Sequence, residues 1–152
     1  MKKSLPAIAV ALVVLAAVFI AIEISGRRPD GPVEPSWDRE SCAHCRMHVS
    51  ERAFAAQIQD TDGRVSFFDD PGCLFAYVDK RGPTLHAVYF RHLEKDEWIA
   101  EADVAFSPVS ASPMGYGLGA VRAGTLGTIP LEEARRRALD PHDPGDGHVP
   151  AH

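Results

Sequence analysis

Sulfur is scarce in this sequence, and its scarcity excludes several kinds of site. The 152 residues include three Cys and three Met, one of which is the first residue. Three thiols are too few for a four-Cys zinc site, and an odd number cannot all pair as disulfides within one chain. A c-type haem is excluded because Arg46, not His, follows the pair in Cys42-Ala43-His44-Cys45. At least one thiol therefore remains for chemistry, for a metal or for an intermolecular bond.

A basic patch is also missing. The net charge is −5 with His neutral, and Lys and Arg form no stripe along the chain. Such a surface is repelled by the phosphates of nucleic acids and by anionic lipid headgroups. We therefore expect no nucleic-acid partner. The mixed-charge run at 132–137 is typical of the solvated face of a helix.

One long apolar run extends from Leu5 to Ile22, behind Lys2 and Lys3. At 1.5 Å per residue a helix of this length spans about 27 Å, close to the thickness of a hydrocarbon core. The residues beyond it offer no small-x-small cleavage site and no Cys for a lipid, which favours an anchor over a cleaved signal peptide. We predict a single-pass inner-membrane anchor over residues 1–25, with the remainder of the chain in the periplasm.

Composition divides the rest of the chain into three parts. Residues 26–39 are rich in Pro and Gly and are predicted to form a flexible linker. Residues 40–139 are predicted to form one folded domain, which is long enough for a modest core. Residues 140–152 have little to bury, and we predict a disordered tail that contains His, Pro and Gly.

Local patterns predict the elements of the domain. Alternating apolar residues indicate a hairpin of strands 53–59 and 64–68 around the turn Thr61-Asp62-Gly63. The segment Asp69-Asp70-Pro71-Gly72 supplies acidic capping residues and a Pro suited to the first turn of a helix. Further patterns indicate strands over 85–92 and 98–106 and a helix over 131–139. This order predicts an α+β fold with a small antiparallel sheet and short helices, in ββαβ-type units.

Both internal Met residues lie in motif-like contexts. Met47 follows Cys45 by two positions, and Met114 lies between Pro113 and Gly115. In an extended segment, side chains at i and i+2 point to the same side, so Cys45 and Met47 would present a thiolate and a thioether to one ion. Soft sulfur ligands select Cu(I). We predict a Cu(I) site whose core is Cys45, Met47 and Met114, with Cys42 and Cys73 as additional ligands.

Two other interpretations stay open. Cys42 and Cys45 can form the redox pair of a thiol–disulfide oxidoreductase, because His44 between them lowers a cysteine pKa. The pair nevertheless follows a Pro-rich segment and leads into a hairpin, whereas a thioredoxin-like site opens a helix after a buried strand. Alternatively, the three Cys residues and one His can form a structural zinc site.

Several short motifs occur along the chain in a fixed order: Cys45-x-Met47, Ala55-Ala56-Gln57-Ile58, Phe68-Asp69-Asp70-x-Gly72-Cys73, Trp98-Ile99-x-x-Ala102 and Pro113-Met114-Gly115. In this combination, which covers about residues 40–125, the chain resembles the NosL family. Members of that family are copper-binding accessory factors for the assembly of nitrous oxide reductase.

The resemblance implies a small α+β domain, a Cu(I) site built from Cys and Met, and no enzymatic activity. It implies a metallochaperone that delivers copper outside the cytoplasm, to a client cuproenzyme or a copper-delivery membrane complex. The family's sulfur positions match at Cys45, Met47 and Met114. The chain departs from the family in two ways: a predicted membrane helix replaces the lipid-modified Cys of many members, and Arg46 replaces the usual Gly.

Overall fold

The computed structural model describes residues 5–25 and 28–140. Helix α1 spans Leu5–Ser25. In the part of the chain that is described, no helix combines the length and the apolar character needed to cross a membrane. The anchor predicted over residues 1–25 is therefore unsupported. Of the tail predicted over 140–152, residues 141–152 lie outside the described residues.

A four-stranded antiparallel sheet forms the first half of the domain. Its strand order is β2-β1-β3-β4, with β1 at Ala56–Asp60, β2 at Val65–Phe68, β3 at Leu85–Arg91 and β4 at Trp98–Ala100. Strands β1 and β2 form the predicted hairpin. The carboxylate of Asp60 accepts hydrogen bonds from the N–H groups of Asp62 and Arg64, both at 2.9 Å. This Asx-type bonding fixes the turn that joins the two strands.

Helix α2, at Pro71–Arg81, begins and ends on local signals. Asp70 is its N-cap, as predicted: Oδ1 accepts a hydrogen bond from the N–H of Gly72 at 2.9 Å. The helix ends at Gly82, whose φ of 55° lies in the left-handed region that glycine adopts without steric cost. Its first turn is buried and includes Cys73.

A second antiparallel sheet completes the domain, so the prediction of one small sheet was incomplete. The segment predicted as one strand over 98–106 is interrupted by a 3₁₀ turn at Glu101–Asp103. After the turn, β5 at Val104–Pro108 joins another sheet of order β6-β5-β7, with β6 at Leu118–Arg122 and β7 at Ile129–Pro130. Helix α3 follows at Leu131–Leu139, as predicted.

One aromatic cluster joins the two sheets and helix α2. The ring centroids of Phe90 in β3 and Phe106 in β5 lie 5.1 Å apart, edge to face. Phe75 of α2 lies 5.8 Å from Phe90 and 5.7 Å from Phe106. Such aromatic pairs add directional attraction to the apolar area that they bury. The domain therefore has a single core, and the α+β class is confirmed.

Residues 31–33 lie along β1. Gln57 and Gln59 are fully buried. Gln57 Oε1 accepts a hydrogen bond from the N–H of Val33 at 2.9 Å, and its Nε2 donates to the Val33 carbonyl at 2.8 Å. Gln59 Nε2 donates to the Gly31 carbonyl at 2.7 Å. The Gln57 amide thus pairs with the backbone as the peptide group of another strand would. Part of the predicted 26–39 linker is therefore bound to the sheet.

Candidate metal centre

The two Cys residues of the CxxC motif lie on a tight loop. Ser41 and His48 form an isolated antiparallel bridge at its base. Inside this bridge, the N–H of Cys42 donates to the Met47 carbonyl at 2.8 Å, and the N–H of Arg46 donates to the Cys42 carbonyl at 3.0 Å. The loop is also bound to the sheet, because the N–H of Ala43 donates to the carbonyl of Phe67 in β2 at 2.9 Å.

Residues 45–47 are not extended, so the geometry predicted for this segment was wrong. Arg46 has a φ of 69°, in the left-handed region, which turns the chain between Cys45 and Met47. The side chain of Met47 is 59% exposed. Its backbone N–H nevertheless donates to the sulfur of Cys45, so Met47 borders the centre. Its role as a metal ligand stays a prediction.

Helix α2 brings the third thiol to this loop. Cys73 is fully buried in the first turn, where its N–H donates to the Asp70 carbonyl at 3.0 Å. The sulfurs of Cys42, Cys45 and Cys73 all lie within 4.8 Å of one another. Sulfurs that share one ion at about 2.3 Å lie about 4 Å apart, so the observed spacing is close to that of three sulfurs around one metal ion. The helix thus brings Cys73, 28 residues after Cys45, to the two thiols of the loop, and the three form a centre that can bind a metal ion.

The centre consists of sulfur ligands among the residues that the structure describes. Among the described residues, the group of neighbouring ligand atoms contains the three sulfurs and no His nitrogen or carboxylate oxygen. The sequence-based zinc interpretation requires a His as the fourth ligand. His44 lies on the same loop, but it contributes through its backbone N–H, which donates to the Cys42 sulfur.

Hydrogen bonds stabilise the thiolate form of Cys42. The Cys73 thiol donates to its sulfur, and the backbone N–H groups of Cys45, Asp69 and His44 add further hydrogen bonds. These contacts outweigh the burial of the sulfur and lower the pKa of Cys42 from 9.0 to about 5. Cys42 is therefore a thiolate at neutral pH.

The pKa values of the other two thiols, Cys45 and Cys73, are raised. The hydrogen bond that Cys73 donates to Cys42, together with burial and the Cys42 charge, raises the pKa of Cys73 far above its usual range. Burial, with a further contribution from Cys42, raises the pKa of Cys45. The metal-free centre therefore carries one thiolate and two protonated thiols. A metal ion that recruits all three sulfurs displaces two protons.

Two adjacent buried carboxylates hold the surrounding segments together. Asp69 Oδ1 accepts a hydrogen bond from the N–H of Ser50 at 2.9 Å, just after the cysteine loop. Asp70 Oδ2 accepts a hydrogen bond from the N–H of Met114 at 3.1 Å. Burial raises the pKa of both carboxyl groups. The sequence predicted the cap at Asp70, but it gave no sign that the pair connects three separate segments.

The loop at 112–117 packs on the first turn of α2. A Cβ built on Gly72 would lie 2.0 Å from Cγ of Tyr116, so the Tyr116 ring lies directly on this glycine. Met114 is half-buried and packs against the core cluster that includes Cys42 and Cys73. The structure therefore places the loop that carries Met114 on the start of helix α2, and thioether coordination by Met114 stays a prediction.

Fold and site together define a small α+β protein with a buried three-cysteine centre that can bind a metal ion. Comparison of the chain with protein-family models, curated proteins and solved structures found no match. Membership of the NosL family therefore stays a prediction from the sequence motifs.

Proposed function

We propose that this protein is a Cu(I)-binding metallochaperone that delivers copper to a cuproenzyme. The observation that carries the proposal is the approach of three sulfurs to within 4.8 Å of one another, with no nitrogen or oxygen ligand in the described group. Thiolates are soft ligands that favour Cu(I). A centre with three sulfurs also suits Cu(I) because this ion accepts a low coordination number.

The zinc interpretation is less well supported by the same geometry. Structural zinc is almost always held by four ligands in a tetrahedron. The described centre supplies three, and the predicted His is not among them. A tetrahedral site would need a ligand from elsewhere.

Thiol–disulfide exchange is disfavoured by the burial of the thiolate. The attacking sulfur in such exchange must be both ionised and accessible. Here the thiol with a lowered pKa, Cys42, is fully buried, whereas burial raises the pKa of the more accessible Cys45. Cys42 and Cys45 thus each lack one of the two properties that an attacking cysteine needs, and the buried Cys73, whose pKa is raised, lacks both. A binding role, without catalysis, is therefore the better-supported proposal.

The resemblance to NosL motifs supports a proposal for where the protein acts and which client receives its copper. It favours a periplasmic domain, and a client such as nitrous oxide reductase or the membrane complex that supplies it with copper. The predicted membrane anchor belongs to the same proposal. Copper is cargo here, so the protein needs to bind it reversibly as well as tightly.

A metal competition experiment tests the proposal. The full chain, reduced and kept under anaerobic conditions, is titrated with Cu(I) in the presence of a competing chelator, and then with Zn²⁺. We expect about one Cu(I) per chain, retained when Zn²⁺ is in excess, because thiolate centres prefer the softer ion. Tight binding of Zn²⁺ without retention of Cu(I) would overturn the proposal.

Two variants test which side chains bind the metal ion. Cys73→Ser keeps the size of the side chain and a hydrogen-bond donor to Cys42 but removes a sulfur, so Cu(I) retention falls. His44→Gln keeps the backbone N–H that contacts Cys42 and removes the imidazole, so Cu(I) retention is unchanged. Loss of metal in His44→Gln, equal to the loss in Cys73→Ser, would instead support a site of three Cys and one His.

A further inference from the structure

One face of the four-stranded sheet holds residues 31–34 of the same chain, which we call the covering segment. Gln59 Nε2 donates to the Gly31 carbonyl at 2.7 Å. The side-chain amide of Gln57 pairs with both the N–H and the carbonyl of Val33, at 2.9 and 2.8 Å. Both Gln side chains lie on the same side of β1, because side chains alternate along a strand. These contacts recognise the backbone of the covering segment and are indifferent to its side chains.

The last residue of the covering segment, Glu34, is held through its carboxylate. Arg91 Nη1 donates to Glu34 Oε1 at 2.6 Å, and the indole N–H of Trp98 donates to the same oxygen at 2.8 Å. Arg91 and Trp98 are directly opposite each other in β3 and β4, so the sheet fixes both donors. The Arg91 side chain is only 4% exposed, and its Nη2 contacts Asp96. The Nη1 and indole donors thus form a site for one carboxylate.

The covering segment does not satisfy this face completely. Gln59 is fully buried, yet its Oε1 has no hydrogen-bond partner among the described residues. A buried acceptor that lacks a donor lowers stability. Pro32 and Glu34 are exposed and Gly31 and Val33 are half-buried, so the segment buries little apolar surface. A segment with few buried apolar contacts detaches at a low cost in free energy.

We propose that this face of the sheet is a peptide-binding site, which the covering segment occupies in the free protein and an extended acidic segment of a partner protein occupies in its place. The partner's backbone pairs with the Gln57 amide, and its Glu or Asp side chain binds Arg91 and Trp98. A further N–H that reaches Gln59 Oε1 gives the partner an advantage over the covering segment. The inference is independent of the metal that the thiols bind.

The test uses the full chain and two synthetic peptides. The first peptide has the sequence of residues 28–36, is blocked at both ends and carries a fluorophore. The second has Gln at the position of Glu34. Binding is measured by fluorescence anisotropy to the parent and to Glu34→Gln, in which the covering segment loses the charge that Arg91 holds. Glu132→Gln removes a charge from an exposed residue of α3 and is the matched control.

For Glu34→Gln we expect the acidic peptide to bind about tenfold more tightly than to the parent, because the covering segment occupies the site for less of the time. Glu132→Gln should match the parent. The peptide with Gln should bind Glu34→Gln about tenfold more weakly than the acidic peptide does. Val33→Pro removes the N–H that Gln57 accepts, and it should also bind the acidic peptide more tightly than the parent.

Two further changes in the Glu34→Gln chain locate the bound peptide. Gln57→Leu removes the amide that pairs with the backbone and should abolish binding, with circular dichroism as the check of folding. Trp98→Phe keeps an aromatic ring and removes the N–H, so it should weaken binding several-fold. Because Trp98→Phe is the milder change, it decides the result if Gln57→Leu does not fold.

Three results would overturn the inference. The first is equal affinity of the acidic peptide for the parent and for both variants of the covering segment. The second is equal affinity of the two peptides for Glu34→Gln, which would exclude recognition of a carboxylate. The third is a dimer of the parent that Gln57→Leu abolishes, which would place a second copy of this chain in the site instead of a partner protein.

Discussion

The backbone N–H of Met114 donates a hydrogen bond to Oδ2 of Asp70, 3.1 Å away. The other oxygen of the same buried carboxylate accepts a hydrogen bond from the N–H of Gly72 and caps α2. One side chain thus fixes both the helix turn that carries Cys73 and the loop that carries Met114. This relationship joins the stability of the fold to the geometry of the candidate metal centre.

The two roles of Asp70 can be separated by substitution. Asp70→Ala removes the cap, and we expect a loss of about 1–2 kcal/mol in the free energy of unfolding, measured by urea denaturation. Asp70→Asn keeps a capping oxygen for Gly72 but turns an amide N–H group towards the N–H of Met114. We expect Asn to retain most of the stability while amide hydrogen exchange at Met114 becomes faster. Unchanged exchange at Met114 in both variants would contradict the second role.

Gly72 should not tolerate a side chain. A Cβ at this position would lie 2.0 Å from the Tyr116 ring, so Gly72→Ala must displace the loop at 112–117. We expect a loss of about 1–3 kcal/mol in the free energy of unfolding. Gly31→Ala is the matched control, because a Cβ there meets nothing within 4 Å. Equal denaturation midpoints for the two variants would show that Tyr116 does not pack on Gly72 as described.

Arg46 has a backbone conformation that favours glycine. Its φ of 69° costs a residue with a Cβ about 1 kcal/mol. Arg46→Gly should therefore raise the free energy of unfolding, whereas Arg46→Ala removes the same side chain but retains the Cβ and should give no such gain. Urea denaturation of the reduced, metal-free variants measures the difference. Arg46→Gly no more stable than Arg46→Ala would contradict a positive φ at this position.

The thiolate of Cys42 predicts a specific pH dependence in the reduced, metal-free chain. Because folding lowers the pKa of Cys42 from 9.0 to about 5, its contribution to stability is fully present above pH 9 and is lost as the pH falls through 5. The raised pKa values of Cys45 and Cys73 have the opposite effect, because folding favours the protonated forms of these two thiols. Their contribution to the free energy of unfolding is present below pH 9.0 and is lost as the pH rises above that value.

Ultraviolet absorbance of the thiolate follows this titration directly. We expect one thiolate to appear near pH 5 in the parent and to be absent in Cys42→Ser. Cys73→Ala removes the thiol that donates to Cys42, so the remaining titration should move to higher pH, whereas Cys73→Ser retains a donor and should move it less. A parent chain without any thiolate at neutral pH would contradict the hydrogen bonding described for Cys42.

The elements that the sequence predicted well are those determined by local chemistry. The turn after β1 depends on Asp60 and its near neighbours, and α2 depends on Asp70 and Pro71 at its start. In each case the residues that decide the structure are adjacent in sequence. Their patterns are therefore visible without knowledge of the rest of the fold.

The second sheet was missed because its strands depend on distant contacts. Strand β6 includes Gly119 and Ala120, which are small residues with weak strand preference. A Cβ at Gly119 would lie 2.7 Å from a methyl group of Leu93, so packing with a distant segment makes glycine suitable there. No periodicity within β6 carries that information.

The sequence named the three thiols among five candidate ligands but did not predict how they are arranged, and coordination by the two Met residues stays a prediction. The three thiols were all candidates, and the fold brings Cys73 to Cys42 and Cys45 through the start of α2. The error at Met47 came from assuming an extended backbone at Arg46. Non-glycine residues rarely adopt a positive φ, so one sequence offers little sign of it. The glycine that the NosL motif usually has at this position was the available signal.

The most direct test of the central claim is X-ray absorption at the copper edge on the full chain, reduced and loaded with one equivalent of Cu(I). The three-thiol centre predicts an edge typical of Cu(I) and a first shell of sulfur alone, with three scatterers from Cys42, Cys45 and Cys73. Cys73→Ser should lower the sulfur count by one. A first shell that contains nitrogen or oxygen in the parent, or a sulfur count unchanged by Cys73→Ser, would contradict the assignment of copper to these three thiols.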